Sequence, residues 1–269
     1  VQFDRPVSLN NLPAELVRQG YEVPRCLIRT QMGQGRSPQV EIIDDGVGEE
    51  ADVPNAAAIS PDGNLSVTSF FLSGNVGFKN LTTYEEVGGA YVGTNPTDVD
   101  ILPSGTHALV TVYGDNQVVA VNLTTFQVDY TVPVGLEPVS AAIAPDGSRA
   151  IVMNSGDSSA SIIELTGWTV EQTITSPEIN SGIFTLSWNT IGRFRYEFSE
   201  VLILDDNQTA VAGTGPSVAF IDLVSGNVND VAIHDGTAKD LAVTRDGNVL
   251  ACGASNYSGT NDINLYDLT

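Results

Sequence analysis

Three carboxylates pose the first chemical question. Asp98, Glu200 and Asp240 fall at equivalent places in three repeated segments of the chain, where Ser140, Ala56 and Pro13 occupy the corresponding positions of the others. Acidic side chains converging on one point supply the oxygen ligands that a hard cation such as calcium takes. Asn55 and Asn95, close by in their own repeats, would add amide oxygens. A metal ion held there would polarise a carbonyl or lower the pKa of a bound water, which is hydrolytic chemistry. The same carboxylates, solvated or paired with Lys239, would also line an acidic, water-filled tunnel, and both readings stay open.

A second group lies in residues 176–198. Trp188, Arg193, Arg195 and Tyr196 occur there beside Phe184, Phe194 and Phe198, in a chain with only two tryptophans and 11 basic residues against 33 acidic ones. Aromatic and arginine side chains together suit a small carboxylate, a carbohydrate or a protein partner. The competing reading is a cap whose aromatics pack on the body of the protein while the arginines pair with acidic neighbours. Other reactive types are scarce. His107 and His234 are the only histidines, and both sit where a structural role is expected. There is no Gly-x-Ser-x-Gly elbow, His-Glu-x-x-His pair or phosphate-binding glycine loop. A triad assembled from distant positions stays open. Cys26 and Cys252 take similar places in the first and last repeats, and either a disulfide or two thiols fits them.

The elements that would position these residues are repeats. Pro61-Asp62-Gly63, Pro103-Ser104-Gly105 and Pro145-Asp146-Gly147 each separate two apolar runs and are spaced 42 residues apart. Arg18-Gln19-Gly20, Asp205-Asp206-Asn207 and Arg245-Asp246-Gly247 extend the series, with one interval of 60 residues that contains the 176–198 segment. In each triplet Pro fixes φ, Asp bonds the following backbone and Gly accepts positive φ, so the triplets mark turns rather than chemistry. Between them run short segments rich in branched and aromatic residues, predicting strands at 98–102, 108–113, 117–121 and 127–132, then at 139–144, 149–153, 160–163 and 170–174. No sustained helical period competes with them. A period near 42 is that of four-stranded propeller blades. The expected fold is therefore all-β: a single β-propeller domain over 1–269 with six four-stranded blades and an insertion at about 176–198. The last repeat lacks an outer strand, and residues 1–3 are expected to supply it and close the ring.

Segment 142–154 carries Ala142-Ile143-Ala144, then Pro145-Asp146-Gly147, then Ala150-Ile151-Val152-Met153-Asn154. This pattern resembles the repeats of YVTN-type β-propellers and is similar to those of lactonase-type propellers. It extends from about residue 10 to the C-terminus. The resemblance implies a propeller, and lactonase- or phosphotriesterase-type propellers of six blades carry calcium where Asp98, Glu200 and Asp240 would meet. YVTN-type and lactonase-type propellers usually have seven blades, whereas this chain supports six.

Composition bounds the partners. The chain has 269 residues, 42% hydrophobic and 16% charged, with a net charge of -22, which fits a folded globule with an acidic surface rather than a disordered acidic tail. That field makes nucleic acid and anionic membrane surfaces poor partners, and no apolar run is long enough to span a bilayer. The chain starts Val1-Gln2-Phe3-Asp4 and has glycosylation sequons at Asn64, Asn80, Asn122, Asn207 and Asn256. These features lead to the expectation of a processed, extracellular glycoprotein. Three functions follow: a secreted propeller holding a small ligand or partner at its channel mouth, a calcium-dependent hydrolase, or a structural extracellular propeller.

Overall fold

The computed structural model describes residues 27–31, 39–43, 54–176, 179, 184–188, 194–198, 201–213, 217–232, 237–244, 248–255 and 261–268. The chain divides into two units, residues 1–52 and 53–269. In the first, β1 (Leu27–Gln31) and β2 (Gln39–Ile43) pair antiparallel, Leu27 opposite Ile43.

The second unit is a succession of antiparallel sheets in which each strand pairs with the next in sequence. Sheet 1 contains β3 (Pro54–Ile59), β4 (Leu65–Phe70), β5 (Asn75–Asn80) and β6 (Glu86–Tyr91). Sheet 2 contains β7 (Pro96–Ile101), β8 (His107–Val112), β9 (Gln117–Asn122) and β10 (Val128–Pro133). Sheet 3 contains β11 (Pro138–Ile143), β12 (Arg149–Asn154), β13 (Ser159–Glu164) and β14 (Thr169–Thr175). A hairpin of β15 (Phe184–Trp188) and β16 (Phe194–Phe198) follows. Sheet 4 contains β17 (Val201–Ile203), β18 (Thr209–Gly213), β19 (Ser217–Asp222) and β20 (Val228–Ala232). Sheet 5 has three strands, β21 (Thr237–Val243), β22 (Val249–Ser255) and β23 (Asn261–Asp267). This is a propeller-like, all-β architecture of repeated sheets. The strands foreseen in two repeats occur within two residues of their expected limits. Among the described residues the last sheet has three strands, and residues 1–3, expected to supply its outer strand, lie outside them.

The packing explains why middle strands read as unbroken apolar runs. In β8, β9, β12 and β13 nearly every side chain is buried, because both faces of these strands are covered. Four apolar clusters do the covering, and each joins two successive sheets. Val67 and Phe78 meet Val110 and Val121 between sheets 1 and 2. Leu109 and Val118 meet Val152 and Ile163 between sheets 2 and 3. Ile151 and Ile162 meet Val201 and Ile221 between sheets 3 and 4, and Val211 meets Leu241 and Leu250 between sheets 4 and 5. The outer strands β10 and β14 are mostly exposed, each with a single buried anchor, Val132 and Ile174.

The turn triplets behave as their chemistry demands. Gly63, Gly105 and Gly147 have φ of +73°, +68° and +73°, and Asn207 takes the same left-handed place at +58°. Each donates its N–H to the carbonyl three residues earlier. Successive turns touch: Cβ positions built on Gly105 and Gly147 lie 3.7 Å from Pro61 and 3.6 Å from Pro103, and Asp146 donates its N–H to Asn207 Oδ1 at 2.8 Å. No helix of the described residues is long and apolar enough to cross a membrane.

Two glycines with equal φ separate backbone strain from close packing. Gly63 has open space around it, whereas a Cβ on Gly74 would lie 2.3 Å from the Gly93 carbonyl oxygen and 2.7 Å from the Tyr91 ring. Gly63→Ala is expected to cost about 1–2 kcal/mol, the left-handed penalty alone. Gly74→Ala must also move backbone, so its loss of melting temperature should be at least twice as large. Thermal melts of the two variants check this, and equal losses would count against the close approach.

Candidate functional site

The inner strands bring the first group of sequence candidates to a seam. In β7, β11 and β21 the ladder slips by one residue just before Asp98, Ser140 and Asp240, which then face Thr111, Met153 and Gly253. The register thus gives these three residues the equivalent positions read from the sequence. Glu200 lies outside the described residues, and Asp240 is described by its backbone pairing.

Asp98 is half-buried and bridges two sheets. Its Oδ2 accepts the Ser140 hydroxyl and the Ala141 N–H, each at 3.0 Å, and its Oδ1 accepts the Val99 N–H at 2.8 Å. Asp100, two residues on, repeats the arrangement with the N–H groups of Ile143 at 3.0 Å and Ile101 at 2.7 Å. Ala141 and Ile143 lie on the edge of β11 that has no strand beside it. Their N–H groups would otherwise lack partners, so the two carboxylates do the work of a missing strand. Thr97 adds a bond from its hydroxyl to the Pro138 carbonyl at 3.0 Å, and Asn55 donates its amide to the Thr97 carbonyl. Each of these cross-sheet bonds spans 41 to 43 residues, one repeat. Burial pushes the Asp98 carboxyl above its ordinary range, opposed by the Ala141, Val99 and Ser140 bonds. Burial also raises Asp100, with the Asp98 charge adding to it. A metal ligated by Asp98 would have to compete with these bonds. Asn95, expected to add an amide oxygen, donates its amide to the Phe71 carbonyl at 3.0 Å. No group of three or more potential metal-binding side chains occurs among the described residues.

The second group lies on an unusual connection. The links from an outer strand to the next inner strand run 92–95, 134–137 and 233–236, four residues each, but the link from β14 to β17 runs 176–200. Two of the short links, 92–95 and 134–137, are stapled to the turn between the second and third strands of the sheet that follows. Ser155 and Gly156 donate N–H groups to Glu137 and Leu136 carbonyls, both at 2.9 Å, and Leu136 donates to Asp157 Oδ2 at 3.0 Å. Tyr113, Gly114, Thr94 and Asp115 repeat that pattern one period earlier. Beneath the sheet 3 turn lies buried Asn154, whose amide nitrogen reaches the Ser159 and Ser161 hydroxyls at 3.0 Å. Its Oδ1 has no partner among the described residues.

The long link starts with an anchor. Ile179 is fully buried in the cluster between sheets 3 and 4, and its N–H bonds the Ser176 carbonyl at 3.0 Å. Beyond it comes the β15–β16 hairpin. Phe184 pairs with Phe198, Leu186 with Tyr196 and Trp188 with Phe194, while Thr185 pairs with Glu197 and Ser187 with Arg195. The two-residue period therefore splits the sequence candidates. Trp188 and Tyr196 belong to an apolar alternation set and Arg195 to a polar one. Arg193 lies outside the described residues.

The remaining candidates are placed as follows. Cys252 is buried beside Leu250 and Leu241, while Cys26 and His234 lie outside the described residues, as does Asn256. Of the sequon asparagines, Asn64 is exposed and donates to Asp62 at 2.9 Å, and Asn207 holds the Asp146 N–H. Asn80 and Asn122 end third strands, and each Oδ1 accepts two N–H groups of the following turn.

The seam carboxylates give a pH signature. Their folded pKa values are raised above the ordinary 3.8, so the folded state holds more protons there than the unfolded chain, and their contribution to stability falls as pH rises through that interval. Replacing Asp98 and Asp100 by Asn removes the effect. The double variant should gain melting temperature relative to the parent as pH increases from about 4 to about 7. A difference independent of pH would show that the two carboxyls titrate normally.

No family model matches the chain, and no curated protein matches it either. Solved structures do. Hydrazine synthase of Kuenenia stuttgartiensis superposes with a TM-score of 0.68 at 22% identity, covering 82% of this chain and 66% of that one. U3-55K superposes with a TM-score of 0.63 at 10% identity, covering 90% of this chain and 64% of the other. This chain thus spans less than two thirds of the length of either. In all, 1474 solved chains match, and a likeness shared so widely at such low identity establishes the architecture alone.

Proposed function

We propose that the protein is a secreted β-propeller that binds a small ligand or partner at the mouth of its channel. The ring is closed in this reading by residues 1–3 pairing with the free edge of β23, as six blades require. The observation that carries the binding reading is the 176–200 link. Three sheet junctions are made with four residues each, so the fold has no need of 25, and compact domains use such long connections mainly for recognition or catalysis. The buried Ile179 gives the link a fixed root, and the hairpin gives it regular structure. Trp188 and Tyr196 then share one alternation set, with Arg195 in the other and Arg193 nearby in sequence.

An acidic field favours an approach by neutral or cationic ligands, while the two arginines add local sites for a carboxylate. The five sequons support an extracellular setting, and the four described ones lie in or beside exposed turns. Calcium-assisted hydrolysis has no comparable observation in its favour, since Asp98 is already engaged at a seam.

The test is a thermal-shift screen of small carboxylates and neutral or amino sugars against the whole chain and an Arg193→Ala, Arg195→Ala variant. A ligand at 100 times its Kd adds about 2.7 kcal/mol, a rise of roughly 5–10 °C for a protein of this size. The expected result is at least one compound that shifts the parent and not the variant, with unchanged melting of the unliganded variant. Hits that shift both proteins equally would remove the arginines from the site.

A further inference from the structure

We propose that the outer side of the seam between sheets 2 and 3 binds a cationic group, ammonium or guanidinium, between the Tyr130–Trp168 ring pair and the Asp129 carboxylate. The site is independent of the long link. It arises from a repeated device. The residues that close the third-to-fourth-strand turns, Tyr84, Phe126, Trp168 and Gly226, all have φ between +53° and +73°. Where the residue has a ring and its neighbour is described, the ring is laid over the preceding sheet. Phe126 covers Gly88 and stacks on Phe78 at 4.5 Å, which closes the first seam. One period later Tyr130 stands in place of Gly88. Trp168, half-buried against the cluster between sheets 2 and 3, stacks on it at 5.0 Å and 11°, and Tyr130 is 44% exposed. In the next seam the turn residue is Gly226, and Gln172 lies against it. Among the described seams, this two-ring surface occurs once.

The polar groups beside the rings are already oriented. Asp129 Oδ2 accepts from the Asn122 amide at 2.9 Å and from the His107 ring at 3.0 Å. Asp129 Oδ1 has no partner among the described residues. The Asn122 and His107 bonds hold this carboxyl below its ordinary range, so it stays charged. His107 tilts against both rings, at 5.9 Å from Tyr130 and 5.8 Å from Trp168. On sheet 3, Arg149 is tied to Glu171 by bonds of 2.8 and 3.2 Å, and Glu164 lies on the same sheet. An oriented carboxylate with an open oxygen, the exposed Tyr130 ring of a stacked aromatic pair and a net charge of -22 together select a cation over an anion or a neutral ligand.

The experiment uses the full chain with Trp188→Phe, which leaves Trp168 as the sole indole reporter. Its emission is titrated with choline, with arginine methyl ester, with the neutral choline isostere 3,3-dimethylbutan-1-ol and with methyl glucoside. The proposal expects a saturable change with both cations, at least tenfold weaker for the neutral compounds, and at least a tenfold loss for the cations in Asp129→Asn. Calorimetric titration of the unsubstituted protein with choline gives the same answer if Trp188→Phe does not fold. The proposal is overturned by an equal response to choline and its isostere, by a response to methyl glucoside alone, by no saturable binding of either cation, or by full binding in Asp129→Asn.

Discussion

An inner strand with nothing beside it is the condition around which the sheets are arranged. Each sheet begins with such a strand, and half of its backbone N–H groups point away from its only partner. Left bare, they would cost stability or invite a foreign strand. Side chains from the preceding sheet answer this at the seam between sheets 2 and 3: Asp98 and Asp100, spaced by two, meet Ala141 and Ile143, also spaced by two. The match of two-residue periods fixes the relative height of sheets 2 and 3. Apolar packing alone would leave that height loosely specified, since branched side chains in β8, β9, β12 and β13 could interdigitate at neighbouring offsets.

Much of this architecture was legible because its punctuation is chemical. Pro-x-Gly turns recur every 42 residues, and even Asp205-Asp206-Asn207, which lacks both Pro and Gly, took its place because Asn tolerates left-handed φ. The equivalence of Asp98, Ser140 and Asp240 was legible for the same reason. The direction of the Asp98 side chain was not. The one-residue slip before it and the unpaired N–H groups of β11 are properties of the assembled ladder, and a carboxylate in an acidic sequence gives no sign of which it will serve. The ring pair at Tyr130 and Trp168 was missed although a signal existed, since aromatic residues recur at 84, 126 and 168 with the repeat period.

The long link shows the limit of reading by residue type. Trp188, Arg195 and Tyr196 looked like one recognition set when only their proximity in sequence was known. Pairing across a hairpin sorts residues by parity, and parity separates the arginine from the two rings. Ile179, an unremarked aliphatic residue in the same stretch, turns out to hold the link to the cluster between sheets 3 and 4.

That link also bears on how the chain folds. Seam bonds elsewhere join residues 41 to 43 apart, whereas Asp146 must find Asn207 across 61. Because the entropy of closing a loop grows only with the logarithm of its length, the longer span adds about 0.3 kcal/mol. A sheet-by-sheet chain whose contacts rarely reach beyond one repeat can assemble neighbour onto neighbour, as solenoids do. At the junction of sheets 3 and 4 the added length is nearly free in conformational terms, which makes it a place where new sequence can be inserted and varied without slowing the closure of the seam on either side.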